Sequence, residues 1–406
     1  MPAVRTLHVA IPAMNEGAFL PHTMECLAKQ DYVHFQVWVC VNQPDAWWND
    51  PAKHPLCENN RQSLDYLRKL GWENLHLIDH SSPGLGWKGK AHGVGQARKV
   101  LMDTISQAAW DEDIIVSLDA DTLFEDHYLS SVADVFKRFP QAVALSNPYY
   151  HRLTGEDTLD RAMLRYEIYM RHFALNLWRI GSPYSFTALG SAIALPVKAY
   201  RKIGGMTAKK SGEDFYLLQK LRKTGWIANH NTSPVYPATR YSDRVFFGTG
   251  PALIKGSQGL WDSYPIYDYR LFDQVAETYA RFPELLHRDM ETPMSPFLNQ
   301  QFGETDIFAP LRENNKTVAH FVNACHHKVD GLRVLQFLKY HQTLKAYSDE
   351  ANLINFLGKF FSEFFVQFKK EDLEVLDFQT SPIPLLDDIR NFLMERERMY
   401  QENDRP

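Results

Sequence analysis

Residues 113–121 read DIIVSLDAD, an apolar run that ends in two closely spaced aspartates. A short run of this kind is typical of a strand that is buried on both faces of a parallel sheet. Asp119 and Asp121 stand at i and i+2 where the strand ends, so their carboxylates can reach one hard divalent cation. The alternative is structural, because Asp121 can cap the next helix while Asp119 only ends the strand. The pair alone supports both interpretations equally.

Similar apolar runs lie on both sides of this stretch and alternate with helical patterns. They are LHVAIP (7–12), FQVWVCV (35–41), LHLID (75–79) and AVALSN (142–147). Buried strands separated by helices predict an α/β fold with a mostly parallel central sheet. The chemistry of such a sheet is expected at the carboxyl ends of its strands.

The strand signals fade after Tyr241, and helical patterns such as ANLINFLGKFFSEFFVQF (351–368) take over. We therefore expect two parts, an α/β domain over residues 1–255 and a mainly helical region over residues 256–406. The aromatic-rich stretch FFSEFF (360–365) leaves self-association into a homo-oligomer open. The helical region shows no convincing catalytic constellation.

The composition argues against several classes of protein. With a net charge of −5, the chain lacks the positive surface that a general nucleic-acid binder needs. Four scattered cysteines, without a CxxC pair, are typical of a reducing cytoplasm. The N-terminus has no signal-peptide pattern, and no run approaches the roughly 18 apolar residues of a membrane span. We therefore expect a cytoplasmic protein whose partner is a small molecule or a glycan.

A long helix is predicted over residues 155–180, where arginines alternate with aromatic residues. Basic amphipathic helices can lie on anionic lipid, so peripheral contact with a membrane surface stays open. Glu167 and the position of the helix, between the aspartate pair and the next strand, favour packing beneath the site instead.

Three further polar segments follow strands or enter helices near the aspartate pair. They are IPAMNEG (11–17), VNQPD (41–45) and GKAHGVGQAR (89–98). Because the carboxyl ends of parallel strands meet at one edge of a sheet, we expect these segments to gather beside Asp119 and Asp121. A polar pocket with glycines and a lysine near a bound diphosphate is what recognition of a nucleotide-sugar requires.

With these motifs the sequence resembles the family-2 glycosyltransferases of the GT-A fold. The resemblance covers roughly residues 5–250 and rests on five elements that occur in the family's order. They are P-x-x-N-E from Pro12 to Glu16, the G-K-A helix entry, the D-x-D, G-S-A-I at 190–193, and Gly212-Glu213-Asp214. The resemblance implies that the protein moves a sugar from a nucleotide-sugar donor to an acceptor hydroxyl with inversion.

The resemblance also implies roles on the donor side. Asp121 would be the principal ligand of Mg²⁺ or Mn²⁺, and Asp119 would face the ribose and the metal. The residues near the base and ribose would be Pro12, Ala13, Asn15, Glu16, Asn42 and, nearby, Lys90. Many relatives carry Asp where this chain has Asn42, so uracil is not the assumed base.

Asp214 is the candidate general base, because inverting transfer needs a carboxylate on the acceptor side to take the proton of the attacking hydroxyl. The structural alternative is a capping box in which Ser211 and an acid three residues later close the start of a helix. The two roles are compatible, since a positive helix end keeps the carboxylate ionised. The other expected acceptor-side residues are Gly190, Ser191, Glu213 and Trp226.

Two arginines and a histidine complete the candidate set. Arg240 and Arg244 lie in a glycine-containing loop that can close over the donor diphosphate and exclude water. The alternative for them is a surface ion pair with Asp243 or Glu213. Whether His230 joins the metal site is left open.

Two other functions compete with sugar transfer. A sugar-1-phosphate nucleotidyltransferase shares the sheet and the metal carboxylates, but it needs a Gly-rich phosphate loop directly after the first strand. A non-catalytic carbohydrate-binding protein of the same fold would have lost the carboxylates, which are present here. The sugar, the base and the acceptor, whether glycan, lipid-linked or a small molecule, are not encoded in these motifs.

Overall fold

The computed structural model describes residues 5–89, 92–209, 211–243, 248–342 and 348–405. In these residues the strands are β1 (Leu7–Ala13), β2 (Phe35–Asn42), β3 (Leu75–His80), β4 (Ile114–Ser117), β5 (Thr122–Phe124), β6 (Ala144–Ser146), β7 (Ile193–Pro196), β8 (Ile227–Ala228) and β9 (Val235–Pro237). The first helices are α1 (Leu20–Ala28), α2 (His54–Leu70), α3 (Val94–Ala108), α4 (Tyr128–Arg138), α5 (Asp157–Arg179), α6 (Val197–Lys202), α7 (Glu213–Arg222) and α8 (Thr249–Gly256). The remaining helices are α9 (Tyr269–Leu285), α10 (Ser295–Phe302), α11 (Ala309–Asn314), α12 (Val318–Lys328), α13 (Gly331–Gln342), α14 (Asp349–Phe360), α15 (Phe364–Gln367), α16 (Lys370–Glu374) and α17 (Ile383–Asn403).

The central sheet has the strand order β3-β2-β1-β4-β7-β6-β8, and a separate ribbon pairs β5 with β9. Only β7 runs against its neighbours in the central sheet, as an antiparallel partner of β4 and β6. The predicted α/β class with a mostly parallel central sheet is therefore confirmed.

The strands are apolar because the middle of the sheet is covered on both faces. Every residue of β1 and of β4 is buried. α3 contributes Ala97, Leu101, Met102 and Ile105 to the core that also holds Ile115 of β4. The register pairs Ala13 with Val41 and Ala10 with Ser117, so the segments after β1, β2 and β4 leave the sheet at the same edge.

The chain divides into two compact units. Unit 1 comprises Met1–Met163, Phe186–Gln258 and Gln401–Pro406, and it contains the sheet. Unit 2 comprises Leu164–Ser185 and Gly259–Tyr400 and is helical. The core of unit 2 is rich in aromatic side chains such as Phe272, Phe282, Phe321 and Phe337. The expectation of a mainly helical C-terminal region is confirmed.

The arginines of α5 that lie in unit 2 are structural. Arg165 is buried and pairs with Asp349. Arg171 is also buried, and its guanidinium contacts Glu167 and Glu397, each at 2.6 Å. These side chains do not face outwards, so this part of the helix does not present a basic face to lipid. Within the described residues, no helix combines the length and the apolar character that crossing a membrane requires.

The phenylalanine-rich stretch at 360–365 is mainly part of the core of unit 2. Phe361 and Phe364 are buried against Phe392. Phe365 is exposed, and self-association into a homo-oligomer stays a prediction. All four cysteines are unpaired, and only Cys26 is partly accessible.

Candidate active site

The two aspartates lie on a short loop that buried hydrogen bonds hold in place. The hydroxyl of Thr23, on α1, donates to the carbonyl oxygens of Ala120 and Thr122 at 2.9 and 3.1 Å. The backbone N–H of Leu118 donates to the carbonyl oxygen of Ala10 and so extends the hydrogen bonding between β4 and β1 by one residue. The loop is therefore anchored to the sheet and to α1, and its carboxylates face the site from a fixed backbone.

Arg98 lies at the centre of the site. It is presented by α3 and is only 2% exposed. Its Nη2 donates to Asp119 Oδ1 at 2.8 Å, and its Nε donates to Glu213 Oε1 at 3.2 Å. Its Nη1 donates to the hydroxyl of Ser117 and, at 2.9 Å, to the carbonyl oxygen of Gly190. One buried cation therefore joins the D-x-D loop to Gly190 and Glu213.

Asp214 lies in the first turn of α7. The N-cap residue is Gly212, in a left-handed conformation with φ 71° and without a side-chain cap, so Ser211 does not take the N-cap position of the expected capping box. Asp214 Oδ1 accepts the backbone N–H of Phe215 at 2.7 Å. Burial, followed by the charge of Glu213, raises the pKa of Asp214 to about 7, although Arg98 acts in the opposite direction. A carboxylate that titrates near neutral pH is suited to general base catalysis.

Arg240 approaches the site from the segment after β9. Its Nε donates to Asp121 Oδ2 at 2.8 Å, and its Nη2 donates to Glu16 Oε1 at 2.6 Å. The guanidinium lies 4.3 Å from the centre of the Phe19 ring, within the range of a cation–π contact. The described ion pairs of Arg240 are thus with Glu16 and Asp121 rather than with Asp243 or Glu213.

Asn42 is only 1% exposed and is engaged within the protein. Its Nδ2 donates to the carbonyl oxygen of Ala13 at 2.9 Å, and its Oδ1 accepts the indole N–H of Trp87 at 3.1 Å. His80 stacks on Trp87 with a ring separation of 3.8 Å. Both ends of the Asn42 amide therefore have partners within the protein. The expected contact of Asn42 with the base stays a prediction.

The P-x-x-N-E segment forms a tight turn after β1. Asn15 has a positive φ of 57°, a conformation that asparagine tolerates better than most residues. Its backbone N–H donates to Asn60 Oδ1 at 2.7 Å, which ties the turn to α2. Pro12 and Ala13 are buried, so the accessible part of the segment begins at Met14.

On the acceptor side, Trp226 does not join the other residues. It precedes β8, which runs in the same direction as β4, so it lies at the edge of the sheet opposite Asp119. Its indole N–H donates to Asp404 at 3.1 Å. The expectation that Trp226 lines the acceptor side is wrong for this reason. Ser191 is buried next to Gly190.

Two expected site residues, Lys90 and Arg244, lie outside the described residues.

Comparison with known proteins identifies the family. The model of the family described as "Glycosyltransferase like family 2" matches residues 2–230. The chain belongs to this family. Its α/β sheet with a helical C-terminal region is the GT-A-like architecture of family-2 glycosyltransferases. A search of curated proteins finds no match.

The chain is also similar to two solved structures, at low sequence identity. S. aureus TarS (1–349) in complex with UDP-GlcNAc is 14% identical, with a TM-score of 0.40, and the alignment covers 98% of this chain and 91% of that one. The mannosyltransferase PcManGT from Pyrobaculum calidifontis, in complex with GDP-Man and Mn²⁺, is 16% identical with a TM-score of 0.34, covering 100% and 89%. These likenesses are too distant to add to the family assignment.

The donor chemistry of this family-2 glycosyltransferase fits a divalent cation. Asp119 and Asp121 supply hard carboxylate oxygens, and Mg²⁺ is commonly held by one or two carboxylates together with substrate phosphates. Among the described residues, no group of three or more His, Cys, Asp and Glu side chains is arranged to hold a metal, so His230 does not complete such a group. The fit therefore depends on ligands from the donor diphosphate.

Sequence reasoning about this family-2 glycosyltransferase missed Arg98 and Trp87. A signal for Arg98 was present, because it shares the buried face of α3 with Leu101, Met102 and Ile105. A cation on the apolar face of a helix requires buried acceptors. Trp87 had no comparable signal, since its role depends on the fold of the loop after β3.

Proposed function

We propose that this family-2 glycosyltransferase transfers a sugar from a nucleotide-sugar donor to an acceptor hydroxyl with inversion, with Asp214 as the general base. One observation supports this most strongly. Arg98 contacts both Asp119 of the D-x-D loop and Glu213, the neighbour of Asp214. A donor-side carboxylate and the candidate base thus belong to one site.

In the proposed step, the Asp214 carboxylate accepts the proton of the acceptor hydroxyl. The hydroxyl oxygen then forms a bond to the anomeric carbon while the bond from that carbon to the diphosphate oxygen breaks. The diphosphate leaves with the bonding electron pair. Direct displacement of this kind inverts the configuration and passes through no covalent intermediate.

Asp121, with Asp119, would hold Mg²⁺ or Mn²⁺ on the donor side. A bound divalent cation would neutralise the charge that develops on the leaving diphosphate. Arg240 would exchange its contact with Asp121 for the diphosphate and close the site, and Arg244 and Lys90 are proposed to assist. Pro12, Ala13, Asn15, Glu16 and Asn42 would contact the base and ribose, as the resemblance implies.

The wider assignments are proposals as well. We propose a catalytic domain over residues 1–255 and a helical region over residues 256–406. We also propose a glycan, a lipid-linked molecule or a small molecule as the acceptor, and a cytoplasmic location, which the unpaired cysteines favour.

Product stereochemistry tests the proposal. We would first screen nucleotide-sugars with Mn²⁺ or Mg²⁺ by thermal shift, because a ligand that binds only the folded state raises the melting temperature. The anomeric configuration of the product is then read by NMR. Inversion and loss of activity with a chelator are expected. Retention would remove Asp214 from its role, and full activity in chelator would remove the metal from the aspartates.

A further inference from the structure

Arg98 brings together stretches that are far apart in the chain. Ser117 and Asp119 surround the end of β4, Gly190 precedes β7, and Glu213 begins α7. All of them contact the one guanidinium of Arg98 through its three nitrogens. An ion pair that served only to neutralise a buried arginine would need a single carboxylate.

The guanidinium fixes directions as well as charge. It is planar, and its donors point outwards at set angles, unlike the three rotatable donors of a lysine ammonium. Nη2 is directed to Asp119 and Nε to Glu213, so one rigid group sets the separation of these two carboxylates. Because Asp214 follows Glu213 in the first turn of α7, this separation also fixes Asp214 relative to the D-x-D loop.

The space around the guanidinium is closely fitted. A Cβ added to Gly190 would lie 2.4 Å from Nη2 of Arg98, closer than any tolerated contact. The carbonyl oxygen of Gly190 also accepts the hydroxyl of Ser117 at 2.7 Å. The guanidinium of Arg98 therefore occupies the space that a side chain at residue 190 would need.

We propose that Arg98 is a positioning residue that holds the donor-side carboxylate Asp119 and the acceptor-side Glu213–Asp214 pair at a fixed separation. The inference rests on the proposed function, because the fixed separation is proposed to align the base, Asp214, with the donor. A misplacement of about 1 Å at a reacting centre costs on the order of 10²-fold in rate.

The test compares two conservative changes at equally buried arginines. Arg98→Lys keeps the charge but loses the fork, and Arg165→Lys makes the same change in unit 2, where Arg165 pairs with Asp349. For each variant we would measure the melting temperature, the dissociation constant of the donor, kcat for transfer, and hydrolysis of the donor by water. A merely structural role would move the melting temperature and the active fraction together.

We expect Arg98→Lys to lower kcat for transfer by about 10²-fold while donor affinity changes less than about threefold. The share of donor lost to water should rise, because the base no longer meets the acceptor. Arg165→Lys should keep kcat per folded molecule. Transfer by Arg98→Lys within about threefold of wild type, or a loss that follows the folded fraction, overturns the inference.

Gly190→Ala provides a second test if Arg98→Lys does not fold. It keeps the charge of Arg98 but places a Cβ 2.4 Å from Nη2, so the guanidinium must shift, and kcat should fall again while donor affinity holds. Normal kcat in a folded Gly190→Ala variant overturns the inference. If the wild-type protein consumes no nucleotide-sugar, the proposed function itself fails, which is a different outcome.

Discussion

Two arginines in the described part of the site, Arg98 and Arg240, are each bound to two acidic side chains, in contrasting settings. Arg98 lies on α3, is almost fully buried and uses all of its nitrogens. Arg240 follows β9 outside regular secondary structure, and 19% of its side chain is exposed. Removing one partner of a buried ion pair leaves a buried charge without compensation, which is energetically costly. Solvent screens a partly exposed ion pair, so replacing one of its partners costs less free energy. A permanent contact is therefore built on a helix, and an exchangeable one on a loop.

The partners of the two arginines follow the same division. Arg240 contacts Asp121, the aspartate that the proposal assigns to the metal, and Arg98 contacts Glu213, next to the base. The donor side must change its charge partners when a ligand binds, but the base must keep its place. The comparison predicts that substitutions at the two clusters will change different measurable quantities.

The largest effect is expected from Asp121→Ala. It should lower turnover by about 10³-fold or more and abolish metal-dependent donor binding, since a bound metal contributes several kcal/mol to the transition state. Isothermal titration with Mn²⁺ and donor would measure the binding. Asp126→Ala, an exposed change after the same loop, is the matched control. Unchanged metal dependence in Asp121→Ala would contradict the donor-side role.

Asp214→Asn should lower transfer by about 10²-fold or more with little change in donor affinity, because it removes the basic oxygen and keeps the shape. Steady-state kinetics and donor titration would separate the two quantities. Near-normal transfer would contradict the assignment of the base. A large loss of donor affinity would instead show that Asp214 also supports donor binding, so the proposed division between the two clusters would not hold.

The pH dependence follows from the pKa of Asp214, which is raised to about 7. The base acts when ionised, so kcat/KM, which reports groups of the free enzyme, should rise with pH through about 7 and fall roughly tenfold for each pH unit below about 6. A pH profile of the wild type against Asp214→Asn is the measurement. The loss of activity at low pH should be absent from Asp214→Asn. If it persists in that variant, a group other than Asp214 is responsible for it.

Arg240→Ala should lower turnover by about tenfold, because the donor diphosphate loses a charge-assisted contact. At the same time Mn²⁺ should bind several-fold more tightly without donor, since Asp121 is released from its ion pair. Titration calorimetry with and without donor would show both effects. Arg152→Ala, which removes an exposed pair with Glu125, is the control. Weaker metal binding in Arg240→Ala would show that the pair is not exchangeable.

The smallest effect is expected from a change that touches neither arginine. Trp87→Phe removes the indole N–H that donates to Asn42 and should cost about 1 kcal/mol of unfolding free energy. Urea unfolding would measure it, with Trp110→Phe, whose side chain is exposed, as the control. A loss of unfolding free energy equal to that of the control would show that the hydrogen bond from Trp87 to Asn42 is not stabilising.

The fold could be predicted because its central strands are buried on both faces and therefore read as continuous apolar runs. The D-x-D and the acid at Asp214 could be proposed because short motifs at strand and helix ends carry recognisable chemistry. The contacts of Arg98 could not, since they depend on side-chain directions across distant segments. Trp226 was misplaced because its sequence position does not reveal at which end of β8 the site lies.

The state of the cysteines gives the protein a natural labelling position. Burial raises the pKa of the Cys40, Cys57 and Cys325 thiols, which keeps them in the unreactive protonated form. Cys26 is the partly accessible one, and it lies on α1, the helix whose Thr23 anchors the loop of Asp121. A fluorophore or spin label attached there would report on that loop in the native sequence.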